Sequence, residues 1–174
     1  YILFYNGPKC GASAPDHMHF QAGNKGFMTF DTDLAKGDKT LVKEVEGAKM
    51  EYVKGLGRVA FVVSASKKEA GEALFNELFA ALPQKADETE AMLNILCWVE
   101  GEEWVIAVFP RKQHRPSCYS AEGDANILIS PASVDMGGVF ITPLEKDFEK
   151  ITSEDIQMIL DEVGFSEADA EQLI

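Results

Sequence analysis

Apolar residues in this chain come mostly in short runs bounded by turn-forming clusters, and each such run predicts a strand. Residues 1–6, rich in aromatic and branched side chains, stop at Asn6-Gly7-Pro8. Residues 17–23 alternate: Met18 and Phe20 would enter the core from one face of a strand, leaving His17, His19 and Gln21 together on the other. Residues 58–64, centred on Val59-Ala60-Phe61-Val62-Val63, carry the strongest strand pattern. Residues 94–99 and 103–109 predict a hairpin around Gly101-Glu102, a glycine-first pair suited to a type II′ turn. Residues 27–30, 126–130 and 139–142 are shorter strand candidates. The charged, weakly periodic stretch 31–49 reads as an excursion, either a lid or an edge hairpin.

Helical periodicity begins after Ser66-Lys67-Lys68-Glu69, whose spacing is that of a capping box with Ser66 as N-cap. The helix that follows would place Leu74, Phe75, Leu78, Phe79 and Leu82 on one face and end at Pro83. A short helical patch is expected at 87–93. A further helix, capped by Ser153, carries Ile156, Ile159, Leu160 and Val163 and ends at Gly164, and Ser166 starts a last one to Leu173. Strands and helices without regular βαβ alternation predict a single α+β domain over 1–174, a largely antiparallel sheet with packed helices. Trp98 and Trp104 read as core residues.

Charge and cysteine content narrow the partners. Sixteen basic against twenty-nine acidic residues give a net charge of −13 over 174 residues, and such a surface repels a nucleic acid. A small nucleotide needs only a local basic pocket. Cys10, Cys97 and Cys118 are odd in number and show no CxxC spacing, so reduced thiols and a cytoplasmic location are expected rather than a disulfide framework. No signal peptide and no apolar run of membrane-spanning length is visible, so no membrane partner is expected.

Candidate chemistry concentrates at Gly11-Ala12-Ser13-Ala14-Pro15-Asp16-His17-Met18-His19-Phe20-Gln21. A loop of small residues can bring backbone N–H groups close to an anion. An imidazole beside it is neutral near pH 7, can attack phosphorus and can leave again from the P–N bond it makes. Spacing alone does not choose between His17 and His19. Two histidines at i and i+2 could also share a metal, if His114 and a carboxylate converge on them. The densest basic stretch, Pro110-Arg111-Lys112-Gln113-His114-Arg115-Pro116, is either a solvated loop or a phosphate-binding one. In the second case Arg111 or Lys112 would contact distal phosphates, with Lys9 beside the motif loop.

His17-Met18-His19-Phe20-Gln21 resembles the His-x-His-x-Gln signature of the transferase branch of the histidine-triad (HIT) superfamily. That branch includes galactose-1-phosphate uridylyltransferase, diadenosine tetraphosphate phosphorylase and GDP-L-galactose phosphorylase. The Gly-Ala-Ser run and the His-x-His-Phe-Gln wording are closer to the two phosphorylases. The resemblance implies a HIT-like α+β fold and a nucleotidyltransferase or phosphorylase that passes an NMP group through a covalent nucleotidyl-histidine. It implies His19 as nucleophile, His17 packed beside it, and Gln21 holding a phosphoryl oxygen. Hydrolase members have a histidine where this chain has Gln21. A glutamine cannot protonate a leaving group, which favours transfer over release to water. Gly11, Ser13 and the neighbouring amides would bind the α-phosphate. The implied partners are a nucleotide or nucleoside diphosphate sugar, with inorganic phosphate or a sugar phosphate as acceptor; no cofactor and no structural metal are implied. In the family a substantial amino-terminal portion precedes the motif, so this chain is expected to be the carboxy-terminal part of a longer protein and that portion its partner. The alternative is a non-catalytic nucleotide-binding module of the same fold.

Overall fold

Where the sequence is most apolar the chain builds the middle of a sheet: β5 (Ala60–Ala65) lies between β4 (Ala48–Lys54) and β7 (Glu103–Pro110). Around them β1 (Ile2–Asn6), β2 (Gln21–Gly23), β3 (Asp38–Val45) and β6 (Leu93–Glu100) complete seven strands in the order β2-β1-β6-β7-β5-β4-β3. Every neighbouring pair is antiparallel, as expected for an α+β fold. The computed structural model describes all of residues 1–174.

Both faces of the central strands are covered, which is why they read as continuous apolar runs instead of alternating ones. On one face Phe61, Val63, Val108, Met50 and Tyr52 pack against Leu74, Leu78 and Leu82 of helix α2 (Lys68–Ala81) and its C-cap. Its close approach to β5 depends on Gly71, where a Cβ would lie 2.7 Å from that of Ala65. On the other face Ile2, Phe4, Val62, Leu96, Ala107 and Phe109 pack against Phe30 of α1 (Phe30–Asp33), Met136 of α3 (Ser133–Met136) and Leu160 of α5 (Ser153–Val163). α4 (Glu145–Lys150) and α6 (Glu167–Glu171) complete the helices. None is long and apolar enough to cross a membrane. On its face of the sheet α2 lies over β4, β5 and part of β7, and farther along that face Leu3 of β1, Val99 of β6 and Trp104 at the start of β7 stay exposed.

Some local expectations are met, among them the edge hairpin and the start of the last helix at Ser166, and others are corrected. Stretch 31–49 resolves as α1 followed by an edge hairpin, β3 turning at Gly47 into β4, with a bulge between Leu41 and Lys43. Ser66 does not cap α2: its N–H and that of Lys67 both donate to Gly47 O (2.9 and 3.1 Å), so the chain is still tied to the hairpin turn and Lys67 is the N-cap. Residues 27–30 form turns into α1, and 87–93 contain no helix. Residues 126–130 and 139–142 join no strand ladder. Ile127 N–H donates to Cys118 O (3.0 Å), and Leu128 N–H donates to the Asp147 carboxylate (2.8 Å). α5 is capped by Thr152, one residue before Ser153, in a capping box with Asp155; Ser166 caps α6 with Asp169.

Candidate active site

β1 ends at Asn6 because that side chain turns inward. Its Oδ1 accepts from Asn94 Nδ2 (2.8 Å) and from Ser133 N–H (2.7 Å), tying β1 to β6 and α3. The chain then turns tightly, Cys10 N–H donating to Gly7 O (2.9 Å), and enters the small-residue loop. Gly11 has φ +83°, a left-handed conformation that favours glycine. A Cβ there would lie 2.6 Å from Ala132 Cβ and 2.7 Å from Pro131 O. The loop is therefore seated against the start of α3. That support is itself pinned by Asp135, whose buried carboxylate accepts from Ala132 N–H (2.8 Å) and Ile141 N–H (3.1 Å). Burial raises the Asp135 pKa, and these hydrogen bonds oppose the rise. The N–H groups of Gly11, Ala12, Ser13 and Ala14 donate to no protein acceptor.

The motif itself is shorter as a strand than its alternation predicts. Pairing runs Ile2↔Gly23, Leu3↔Ala22 and Phe4↔Gln21, and continuing it would set His19 opposite Asn6, where β1 stops. His17 and Met18 thus have no strand residue opposite them, and the ladder already stops short of His19 and Phe20. Met18 and Phe20 are 68% and 65% exposed, not core residues, although the alternation survives: Phe20 lies on Tyr5 with ring centroids 5.4 Å apart, while Gln21 stands opposite Phe4. His17 and His19 do come together, ring centroids 5.5 Å apart. His19 Nδ1 is 3.2 Å from His17 O. A carbonyl can only accept, so Nδ1 carries a proton, and in a neutral ring the lone pair then lies at Nε2. His17 Nδ1 lies 3.3 Å from Asp16 Oδ1.

The basic stretch divides, and the expectation for Arg111 and Lys112 is corrected. Arg111 is 2% exposed, and all five of its N–H bonds have protein acceptors. Nε donates to Val163 O (3.1 Å), Nη1 to Asn94 Oδ1 (2.6 Å) and Pro131 O (2.9 Å), and Nη2 to Gln113 O (3.3 Å) and His114 O (3.2 Å). No donor is left for a phosphate. Lys112 N–H donates to Val163 O and its ammonium lies 4.0 Å from Asp169 of α6, away from the motif. His114 and Arg115 remain. Burial first, then the charges of Arg115, Arg111 and Lys9, hold the His114 pKa below its ordinary value. The Arg115 guanidinium stacks over Tyr119 at 4.1 Å and donates from Nε to Ser130 Oγ (3.3 Å), one residue from Pro131. No three His, Cys, Asp or Glu side chains are placed to share a metal ion, so His114 and a carboxylate do not join the histidine pair.

Two residues that build the site, Asn6 and Asn94, escaped sequence reasoning. The available signal was Asn94 itself, an amide inside the apolar run Leu93-Asn94-Ile95-Leu96. A polar side chain there has to be satisfied inside the core.

A seven-stranded antiparallel sheet with its helices, and a His-x-His-x-Gln segment entering its edge strand, define a HIT-like α+β fold. The crystal structure of yeast Ap4A phosphorylase shares this fold, with a TM-score of 0.56 and 18% identity over 94% of this chain and 55% of that one. The chain belongs to the GDPGP1-like, C-terminal domain family, whose model matches residues 59–173. A domain of unknown function (DUF4922) matches residues 1–24, which contain the whole motif. A DUF4931 family protein from Bacillus cereus ATCC 10987 is similar over 78% of this chain and 64% of its own, at 19% identity and a TM-score of 0.49. No curated protein matches the chain. The chain spans little more than half the length of the yeast enzyme.

Proposed function

We propose that this chain carries the nucleophile of a nucleotidyltransferase or phosphorylase that passes an NMP group through His19 to inorganic phosphate or a sugar phosphate. The observation that carries the reading is the His19 ring, proton held at Nδ1 by His17 O, following a loop of unpaired amides. In the first step Nε2 attacks the α-phosphorus of a nucleotide or nucleoside diphosphate sugar. A P–N bond forms, the bridging P–O bond breaks, and the leaving phosphoryl group departs with that electron pair. The ring becomes cationic while Nδ1–H stays on His17 O. In the second step an oxygen of the acceptor phosphate attacks, the P–N bond breaks, and the imidazole returns neutral. Gly11, Ser13 and their amides bind the α-phosphate, and Gln21 donates its amide to a phosphoryl oxygen as charge builds. His17 packs beside the nucleophile. Arg115, whose Nη groups donate to no protein acceptor, takes the distal-phosphate role first considered for Arg111 and Lys112; Lys9, beside the loop, joins it by exchanging its exposed pair with Glu88 and Asp87 for the phosphate.

The reading places this chain as the carboxy-terminal part of a longer protein whose other residues complete the nucleotide pocket, and places the protein in the cytoplasm. Similarity to a phosphorylase of nearly twice the matched length supports the first statement, and three free cysteines support the second. The test is to incubate the full-length protein with α-labelled dinucleoside polyphosphates or nucleoside diphosphate sugars and look for acid-labile, base-stable label. His19→Ala is expected to abolish labelling with little change in thermal stability, since the ring is only partly buried. Retained label in that variant would refute the assignment.

A further inference from the structure

We infer that Arg111 and Asn94 are positioning residues that turn the Gly11 N–H outward to the α-phosphate, acting through the carbonyl of Cys10. The inference rests on the function proposed above. An arginine can only donate, so Nη1 of Arg111, 2.6 Å from Asn94 Oδ1, fixes which end of that amide faces it. Asn94 Nδ2 must then face the other way, where it donates to Cys10 O at 2.8 Å and Asn6 Oδ1 at 2.8 Å. The Cys10 carbonyl and the Gly11 N–H belong to one planar trans peptide and point in opposite directions. Drawing that carbonyl inward onto Asn94 therefore sends the Gly11 N–H outward, and it meets no protein acceptor there. The same Nη1 also holds Pro131 O (2.9 Å), the atom against which Gly11 is seated. One guanidinium thus sets both the tilt of the peptide and the wall behind it. Being 2% exposed, it touches no nucleotide itself.

Asn94→Asp separates this role from simple packing. The carboxylate is isosteric and still accepts from Arg111, but it cannot donate to Cys10 O and repels it. In the full-length protein, with a nucleotide that labels the wild type, the labelling rate at saturation is expected to fall on the order of 10²-fold. The half-saturating concentration should change by less than about threefold, because the loss lies in stabilising charge that develops in the transition state. A fixed N–H also distinguishes the two non-bridging α-oxygens. The wild type should therefore prefer one α-phosphorothioate diastereomer, and Asn94→Asp should lose that preference; a merely structural role would not move it. Arg111→Lys, which keeps the charge but not the fork, should behave likewise. A folded Asn94→Asp protein that labels at the wild-type rate, or that keeps the preference, overturns the inference. So does a wild type without any preference, whatever the variants do. A wild type that takes no label from any nucleotide refutes the function itself and this role with it.

Discussion

A histidine whose Nδ1 proton is held by a neighbouring carbonyl can offer only its other nitrogen, so the contact of His19 with His17 O fits the tautomer that the proposed attack through Nε2 needs. Gln21 stands two residues on, at the start of β2, where pairing with Phe4 fixes its backbone while its side chain remains exposed. If its amide acts as a preorganised donor, Gln21→Ala should slow turnover about 10²–10³-fold without changing the unfolding midpoint. An unchanged rate removes it from the mechanism. At this scale the candidate site could be proposed from the sequence, since His-x-His-x-Gln carries a chemical requirement in its residue types, and the closeness of His17 and His19 follows from their spacing. Arg111 was not, because basic residues in a loop read as solvated or ligand-facing. Its burial is decided by acceptors that arrive from Asn94, Pro131 and Val163, as far as 52 residues away in sequence.

Among the elements, those that lie in strand ladders or follow helical periodicity were readable, and those held by side chains were not. Residues 126–130 have a strand-like composition, yet the acceptor for Leu128 N–H is the carboxylate of Asp147, which no periodicity can announce. That carboxylate is fully buried and also meets Lys146 (3.0 Å) and Lys150 (3.6 Å). Chiefly the Leu128 N–H, and then the Lys146 hydrogen bond, hold its pKa below the ordinary carboxylate range. A depressed folded-state pKa gives stability that is present above the unfolded value of about 3.9 and is lost as pH falls through the folded one. The urea midpoint should therefore hold between about pH 6 and 5 and decline below about pH 4. Asp147→Asn should start lower at neutral pH and decline less steeply. The slope should not vanish, because Asp155 and Asp169 are depressed in the same way by their capping boxes.

For the whole molecule, the two tryptophans record how unevenly the sheet is covered. They occupy neighbouring strands, β6 and β7, but project to opposite faces: Trp98 pairs with Val105 and is 3% exposed, whereas Trp104 pairs with Val99 and is 43% exposed. Sequence reading treated both as core, because each lies in an apolar strand; it could not show that α2 covers only one end of its face. Trp98→Ala should cost about 3–5 kcal/mol of unfolding free energy, the range for emptying a core aromatic site. Trp104→Ala should cost about 1 kcal/mol, since much of its surface is already in water. Equal losses in urea titrations would contradict this account of the two faces.

The Arg111 cluster also joins distant parts of the gene. The Nε–H of Arg111 and the N–H of Lys112 both end on the carbonyl of Val163, and Phe165 N–H returns to Pro110 O at 3.2 Å. A premature stop codon ahead of Val163 would leave that buried cation short of an acceptor and let it pull away from Asn94. Such a chain would still contain His17, His19 and Gln21, yet the seat of the loop that precedes them would have lost a support that lies far along the sequence at Val163.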